Sequence, residues 1–404
     1  MKILHTADWH LGAHLGPFSR INEQKLFLEQ LIDIVDEKAI DMVIIAGDIF
    51  DSPNPPAAAE ALFFHAAASL AARKIPIILV AGNHDNAERL AAPIPMAAQM
   101  GVLIFATPHS QPPARSYANF SVSPLAPCCV ELTFSNLGCQ VILSAMPFVS
   151  EKRLGEAIFT AKDEAGMQKD YSAKIGELFS ASSKFFREDT INIAAGHFHI
   201  AGGEASRGLE RDIILGGSFA VNPSHMPPAD YIAMGHLHRP QKLKCGGGGK
   251  YLAHYAGSPL PYSLSEQGYP KGVYIADLKP GQPAVVEKIP LNCPKPIELW
   301  EFETTAQAIE KCQQPSSAYK YIRIAQADVN PHDIKEMRRT APDIVSIEIA
   351  QSTGLQAPDY NSLHILNPRE EFVNFYTKST GSTPARDVLS LFDEILHNEN
   401  EEQL

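Results

Sequence analysis

Five short segments carry residues able to bind a metal or move a proton: DWH (8–10), GDIFD (47–51), GNHD (82–85), GHFH (196–199) and GHLH (235–238). Each follows an apolar run, as IPIILVA (75–81) precedes GNHD. Four of the five place Gly before the first polar residue. Gly allows a sharp turn and a close backbone approach, so that side chains from separate strand ends can converge. The donor types are His, Asp and Asn, with no Cys. Imidazole, carboxylate and amide oxygen together suit Mn, Fe or Zn better than Ca or a thiolate zinc site. Seven or eight such groups exceed the needs of one ion. Two ions about 3.5–4 Å apart, bridged by a carboxylate, would use them all, and such a pair suits in-line displacement at phosphorus.

Taken singly, each segment has a plainer reading: a cap or core hydrogen bonder for DWH, a strand-to-turn Asp for GDIFD, an Asx turn for GNHD, solvated or core histidines for the last two. Their order and shared position after apolar runs point to one site, because ligands of open α/β sheets gather at the carboxyl ends of strands.

The elements that must position them follow from periodicity. KILHTA (2–7), MVIIA (42–46) and IPIILVA (75–81) read as strands. Leu28, Leu31, Ile32 and Val35 share one face of a helix over 21–38, and the Ala-rich stretch 57–73 is a second helix. This β-α-β-α-β rhythm predicts a layered α/β domain. Residues 106–130, rich in Pro and Ser, read as irregular. Further strands are expected at 139–145, 191–195, 231–234, 251–255 and 272–277, with GGGG (246–249) as a hairpin loop. After Pro294 and Pro296 the texture changes to strand (299–303), helix (306–313), strand (319–325), helix (331–339) and strand (344–349), a small α+β unit. Two more helices are expected near 367–378 and 384–396. Asn367, Pro368 and Glu370 start the first, and Thr383 and Pro384 start the second, with Val388, Leu391, Phe392 and Ile395 on one face.

Composition narrows the class. The chain has 404 residues, 45% apolar and 20% charged, as expected of a globular protein of two or three domains. No apolar run is long enough for a membrane span, and MKILHTADWHLG is too polar for a secretory signal. Six cysteines without a CxxC pair fit reduced thiols in the cytoplasm. A net charge of −12 argues against a broad basic surface that coats nucleic acid, though divalent ions can supply positive charge locally.

In this order, DxH, GDxxD, GNHD, GH and GHxH resemble the calcineurin-like metallophosphoesterases. MKILHTADWHLG, GDIFDSPNPP, DYIAMGHLHRPQ (230–241) and YAGSPLPYSLSE (255–266) more closely resemble the SbcD-type nucleases of that superfamily. The likeness is strong over residues 1–285 and weaker beyond. The resemblance implies a four-layer α/β sandwich, an α+β sandwich of two sheets with outer helices, over 1–285. It also implies a small α+β capping domain over 290–354 that contacts DNA, and a helical segment over 365–404 that docks on an SbcC-type, SMC-like ATPase. One metal would be held by Asp8, His10, Asp48 and His238, and a second by Asp48, Asn83, His197 and His236, most naturally both Mn²⁺. His84 would face the scissile phosphate rather than ligate, and Asp51 would orient His84. Asp85 reads as a structural turn, His199 as a bystander and Trp9 as core. Asn86 and Arg89 read as surface residues, and Lys335, Arg338 and Arg339 as candidates for DNA backbone contact. The activity implied is 3′–5′ exonuclease on double strands and endonuclease on single strands, in DNA end processing, repair and recombination. The assembly implied is a nuclease homodimer, joined through helices near 57–73 and 88–100, with two ATPase subunits.

Two other functions compete. A phosphomonoesterase or cyclic-nucleotide phosphodiesterase on the same fold would share the metal ligands, but the protein phosphatases carry GDxVDRG and GNHE where this chain has GDIFDS and GNHD. An inactive scaffold for an ATPase would have lost a ligand, and all seven are present with His84.

Overall fold

The computed structural model describes residues 1–205, 220–326 and 329–349, together with Phe372, Val373, Tyr376, Thr383, Pro384, Val388, Leu389 and Phe392. Two sheets pack face to face. The first runs, in spatial order, Val285–Pro290, Gly272–Asp277, Lys2–Thr6, Met42–Ala46, Ile77–Val80, Val102–Phe105. Its last four strands are parallel and the first two antiparallel. The second has eight strands: Gln241–Cys245, Tyr251–Tyr255, Tyr231–Gly235, Ile191–His197, Cys139–Met146, Cys129–Phe134, Phe120–Ala126, Arg115–Ser116. The second to fifth in that order, from Tyr251–Tyr255 to Cys139–Met146, are parallel.

The parallel strands are apolar throughout because both faces are covered. Ile3, Met42, Ile44, Ile78 and Val80 point into the space between the sheets, where they join Val141, Leu143, Ile193 and Ala195. The alternate residues Leu4, Val43, Ile45, Ile77 and Leu79 point outward onto Phe27, Leu28, Leu31 and Val35 of helix Ile21–Glu37 and Phe63, Ala66 and Leu70 of helix Ala57–Ala71. A helix Glu164–Ser183 covers the second sheet through Tyr171, Ile175 and Phe179. The result is four layers, helix–sheet–sheet–helix, as expected.

One expectation fails. Residues 106–130 are not irregular, since Phe120–Ala126 and the start of Cys129–Phe134 are strands. Buried Phe120 and Val122 alternate there with Ser121 and Ser123, a period of two that the Pro and Ser content masks.

Strands Ile297–Phe302, Tyr319–Ile324 and Ile344–Ile349 form a parallel three-stranded sheet with helices Thr305–Cys312 and Pro331–Thr340. A small core of Ala308, Ile322, Ile324, Met337 and Ile344 holds it together. It meets the sandwich through Ile297 and Tyr319 against Leu15, and Tyr319 donates its hydroxyl to Glu23 at 2.7 Å. In a separate compact unit, Gln351–Leu404, the described Phe372, Val373, Tyr376, Val388, Leu389 and Phe392 are helical. The Phe372 ring stacks on Phe392 at 4.1 Å. Asn367, Pro368, Glu370, Leu391 and Ile395 lie outside the described residues.

Candidate metal centre

All five segments emerge at the same end of the sandwich. Asp8 and His10 follow the strand Lys2–Thr6, Asp48 follows Met42–Ala46, and Asn83 and His84 follow Ile77–Val80. The second sheet supplies His197 at the end of Ile191–His197, and His236 and His238 after Tyr231–Gly235. Asp8, His10, Asp48 and His236 all have positive φ, at 54°, 44°, 49° and 93°. Left-handed backbone at a non-glycine residue costs about 1–3 kcal/mol and persists only where surrounding structure enforces it. Here it turns each strand end sharply enough to aim its side chain inward.

The glycines are explained by close approach. A Cβ on Gly47 would land on the His197 ring, one on Gly82 on the Asp48 carboxylate, and one on Gly235 on the Ala46 carbonyl. The turns are stitched together. Asp8 N–H donates to Gly47 O and His10 N–H to Asp48 O, both at 3.0 Å. The buried Asp85 carboxylate accepts from the N–H groups of Gly82 (2.8 Å), Phe50 (3.0 Å) and Ile49 (3.2 Å), so it ties the GNHD turn to the GDIFD turn. Asp85 therefore has the structural place expected of it. Trp9 is core, edge-on to Phe27.

Within this frame the donor atoms converge. Asp8, His10 and His238 offer atoms within 4.8 Å of one another, as do Asp8, Asp48 and His197, and His10, Asp48 and His84. His10 Nε2 and His238 Nε2 face each other at 3.0 Å. His197 Nε2 lies 3.2 Å from Asp48 Oδ2 and 3.0 Å from Asn83 Oδ1, while His236 Nδ1 lies 3.1 Å from the same Asn83 oxygen. Asp48 thus lies against both expected ligand sets, 3.2 Å from His197 Nε2 and 3.7 Å from His10 Nε2. All seven predicted ligands and His84 are brought together.

The residues fit a pair of divalent cations. Two fully buried carboxylates and four imidazoles surround one point with no Lys or Arg among them, and Asp8 Oδ2 is a buried acceptor that meets no donor among the described residues. Such an atom is costly unless a cation satisfies it. The fields agree. Burial would raise the Asp48 carboxyl, but the imidazoles of His197, His84 and His10 hold it well below the usual carboxylate range. Burial raises Asp8 despite the nearby histidines. Burial would lower His197, yet Asp48 and Asp8 lift it to about 9, because carboxylates facing one point favour positive charge beside them.

His84 sits beside the ligands, with its ring 4.8 Å from that of His10. Its backbone N–H donates to Asp48 Oδ1 at 2.9 Å. The expected partnership with Asp51 takes a different form. His84 Nδ1 meets the backbone carbonyl of Asp51 at 2.8 Å, whereas the Asp51 carboxylate lies 3.3 Å from His10 Nδ1. The turn after Phe50 swings the side chain toward His10 and leaves the main chain to hold His84. His199 is not among the convergent groups; its Nε2 faces Gly203 O at 3.2 Å. Asn86 caps helix Ala87–Ala91, Arg89 pairs with Glu60 at 2.9 Å, and Arg338 donates to Ile344 O at 3.1 Å.

Three supporting residues escaped the sequence reading. Gln24 donates to His10 O at 2.7 Å, Tyr262 donates to Trp9 O, and Glu266 lies 3.2 Å from His238 Nδ1. None ends an apolar run or follows a Gly, so none carried the signal that marked the ligands.

Residues 1–240 match the model of the calcineurin-like phosphoesterase family. The chain is 34% identical to the SbcD subunit of the SbcCD nuclease of Bacillus subtilis, over all of this chain and 99% of that protein. The corresponding SbcCD nuclease subunits of Rhodobacter capsulatus (36% identical, 76% of this chain and 73% of that one) and Escherichia coli K12 (26%, 86% and 84%) are also similar.

Proposed function

The chain belongs to the calcineurin-like phosphoesterase family, and we propose that it is the nuclease subunit of an SbcCD-type complex, a metal-dependent hydrolase of DNA phosphodiester bonds. The observation that carries this reading is the convergence of Asp8, His10, Asp48, Asn83, His197, His236 and His238 from two sheets, with His84 beside them. Asp8, His10, Asp48 and His238 would hold one divalent ion and Asp48, Asn83, His197 and His236 another, both assigned as Mn²⁺. Bound there, the ions would supply Lewis acidity for the attacking water and positive charge for the phosphate oxygens.

The protein's own groups do the rest. Asp48 draws both ligand sets to one point. Asp85 fixes the two turns that carry Asp48 and His84. His84 spends its Nδ1 hydrogen on the Asp51 carbonyl, which leaves Nε2 for the substrate. From there the ring would donate to the phosphate oxygens as charge builds on the pentavalent phosphorus, or would give a proton to the leaving 3′ oxygen. Asp51 would orient His10 through its carboxylate and His84 through its backbone carbonyl.

The same reading gives 3′–5′ exonuclease action on double strands and endonuclease action on single strands, in the cytoplasm, for DNA repair and recombination. Among the described residues no helix is long and apolar enough to cross a membrane. A homodimer would use the segments carrying Phe64, Met96 and Met100, three large apolar side chains left exposed. Residues 290–354 would cap the cleft over DNA and 365–404 would dock on the SMC-like ATPase. That partner would supply much of the DNA grip, which a chain of net charge −12 lacks.

The test is cleavage of linear double-stranded DNA by the purified protein with Mn²⁺, beside a phosphomonoester. Cutting of DNA without turnover of the monoester is expected. Turnover of the monoester alone would move the protein to the phosphatases.

A further inference from the structure

We propose that Glu266 is a positioning residue of the centre: it fixes the tautomer of His238 so that Nε2 presents a lone pair to a metal, and thereby strengthens one of the two ion positions selectively. The inference rests on the two-ion reading above.

Glu266 is 1% exposed and ends the short turn Leu264–Glu266, 28 residues from His238 in sequence. Its carboxylate is saturated. Oε1 accepts from Tyr262 N–H at 3.1 Å and faces His238 Nδ1 at 3.2 Å. Oε2 accepts from Ser258 Oγ at 2.8 Å and from Lys271 Nζ at 2.5 Å. Lys271, 5% exposed, uses all three of its hydrogens: on Glu266, on Ser258 Oγ at 2.7 Å and on the carbonyl of His238 itself at 3.2 Å. The brace therefore grips both the ring and the main chain of His238. Leaving a buried lysine and a buried carboxylate beside a ligand is costly unless they pair this completely.

The consequence for the ring is a matter of hydrogen inventory. An ionised carboxylate only accepts, so the atom facing it must be the N–H of the imidazole. With its hydrogen on Nδ1, neutral His238 has a lone pair at Nε2, the atom 3.0 Å from His10 Nε2 and grouped with Asp8. The opposite tautomer would set a lone pair against Oε1 in a site closed to water. A carboxylate behind a ligating imidazole also makes it a stronger donor. His197 is backed differently, since its Nδ1 meets the neutral carbonyl of Ala46 at 2.8 Å and lies 3.8 Å from Asp8 Oδ1, itself an expected ligand. Glu266 therefore acts on the ion position that contains His238.

The experiment is calorimetric titration of Mn²⁺ into the metal-free full-length chain, with thermal unfolding of the same metal-free samples. Wild type should take up two ions. In Glu266→Gln one of the two affinities should fall about 10–100-fold, the range for loss of a partner behind a metal ligand, while the other holds. Glu266→Gln combined with Lys271→Met removes the buried charges together, serves if the single variant does not fold, and should show the same one-sided loss. His238→Gln should weaken the same step, and adding Glu266→Gln to it should weaken that step no further. Two unchanged affinities in folded protein, or an equal fall in both that tracks the loss of thermal stability, would overturn the proposal. Uptake of fewer than two ions by wild type would overturn the two-ion reading first, and this inference with it.

Discussion

His5 and Asp8 lie three residues apart on one stretch of chain, both fully buried, and they belong to opposite kinds of environment. His5 faces Tyr231 OH at 3.0 Å in an aromatic cluster with Tyr274 and His254, where Tyr231 stacks on His254 at 4.8 Å. Burial, then the neighbouring His254, pushes His5 down to about 3; burial, then Lys242, pushes His254 down to about 4. At the metal centre burial acts the same way on His197, but Asp48 and Asp8 reverse it and lift the ring to about 9. Buried histidine is common to both regions. What separates them is the carboxylate, together with the glycine that lets it approach.

The largest effect should come from breaking that approach. Gly82→Ala puts a methyl on the Asp48 carboxylate. It should abolish Mn²⁺ uptake and DNA cleavage and cost about 1–3 kcal/mol through overpacking, read by urea unfolding of the metal-free protein. The aromatic cluster should show itself through pH. His5 and His254 are neutral when folded and bind protons near 6.5 when unfolded, so stability is complete above about 6.5 and declines as pH falls toward 3–4. The slope should approach roughly 1.4 kcal/mol per pH unit for each histidine. His254→Phe, which keeps the stack on Tyr231, should flatten the denaturation profile between pH 6 and pH 4 while Mn²⁺ binding is unchanged. The smallest effect belongs to Arg89, next to the GNHD turn but paired in solvent with Glu60. Arg89→Ala should leave unfolding and cleavage alike within error, and a large loss of cleavage would make it part of the DNA path.

The same contrast explains what the sequence could show. Asp8, Asp48, Asn83, His197 and His236 were legible because each ends an apolar run where only a site justifies a polar group, and His10 and His238 lie two residues beyond such ends. His5 in KILHTA and His254 in YLAHY sit inside strands, with no Gly or Asp beside them, so neither carries that signal. Glu266 was invisible because its meaning depends on Lys271 and His238, brought to it by the fold rather than by spacing. Asp51 was expected to orient His84 through its carboxylate, yet its main-chain oxygen is what meets that ring, a distinction no sequence pattern carries. The strand Phe120–Ala126 was lost under its serines and Pro124.

The central claim is a division of labour: seven residues hold metal, and His84 does not hold metal but acts on the substrate. The direct measurement is Mn²⁺ content and DNA cleavage of His84→Ala beside wild type. The account predicts the same two ions per chain and near-equal DNA affinity, with cleavage reduced by about 10²–10⁴-fold. Loss of an ion would contradict it and place His84, whose donor atoms lie within 4.8 Å of those of His10 and Asp48, among the ligands.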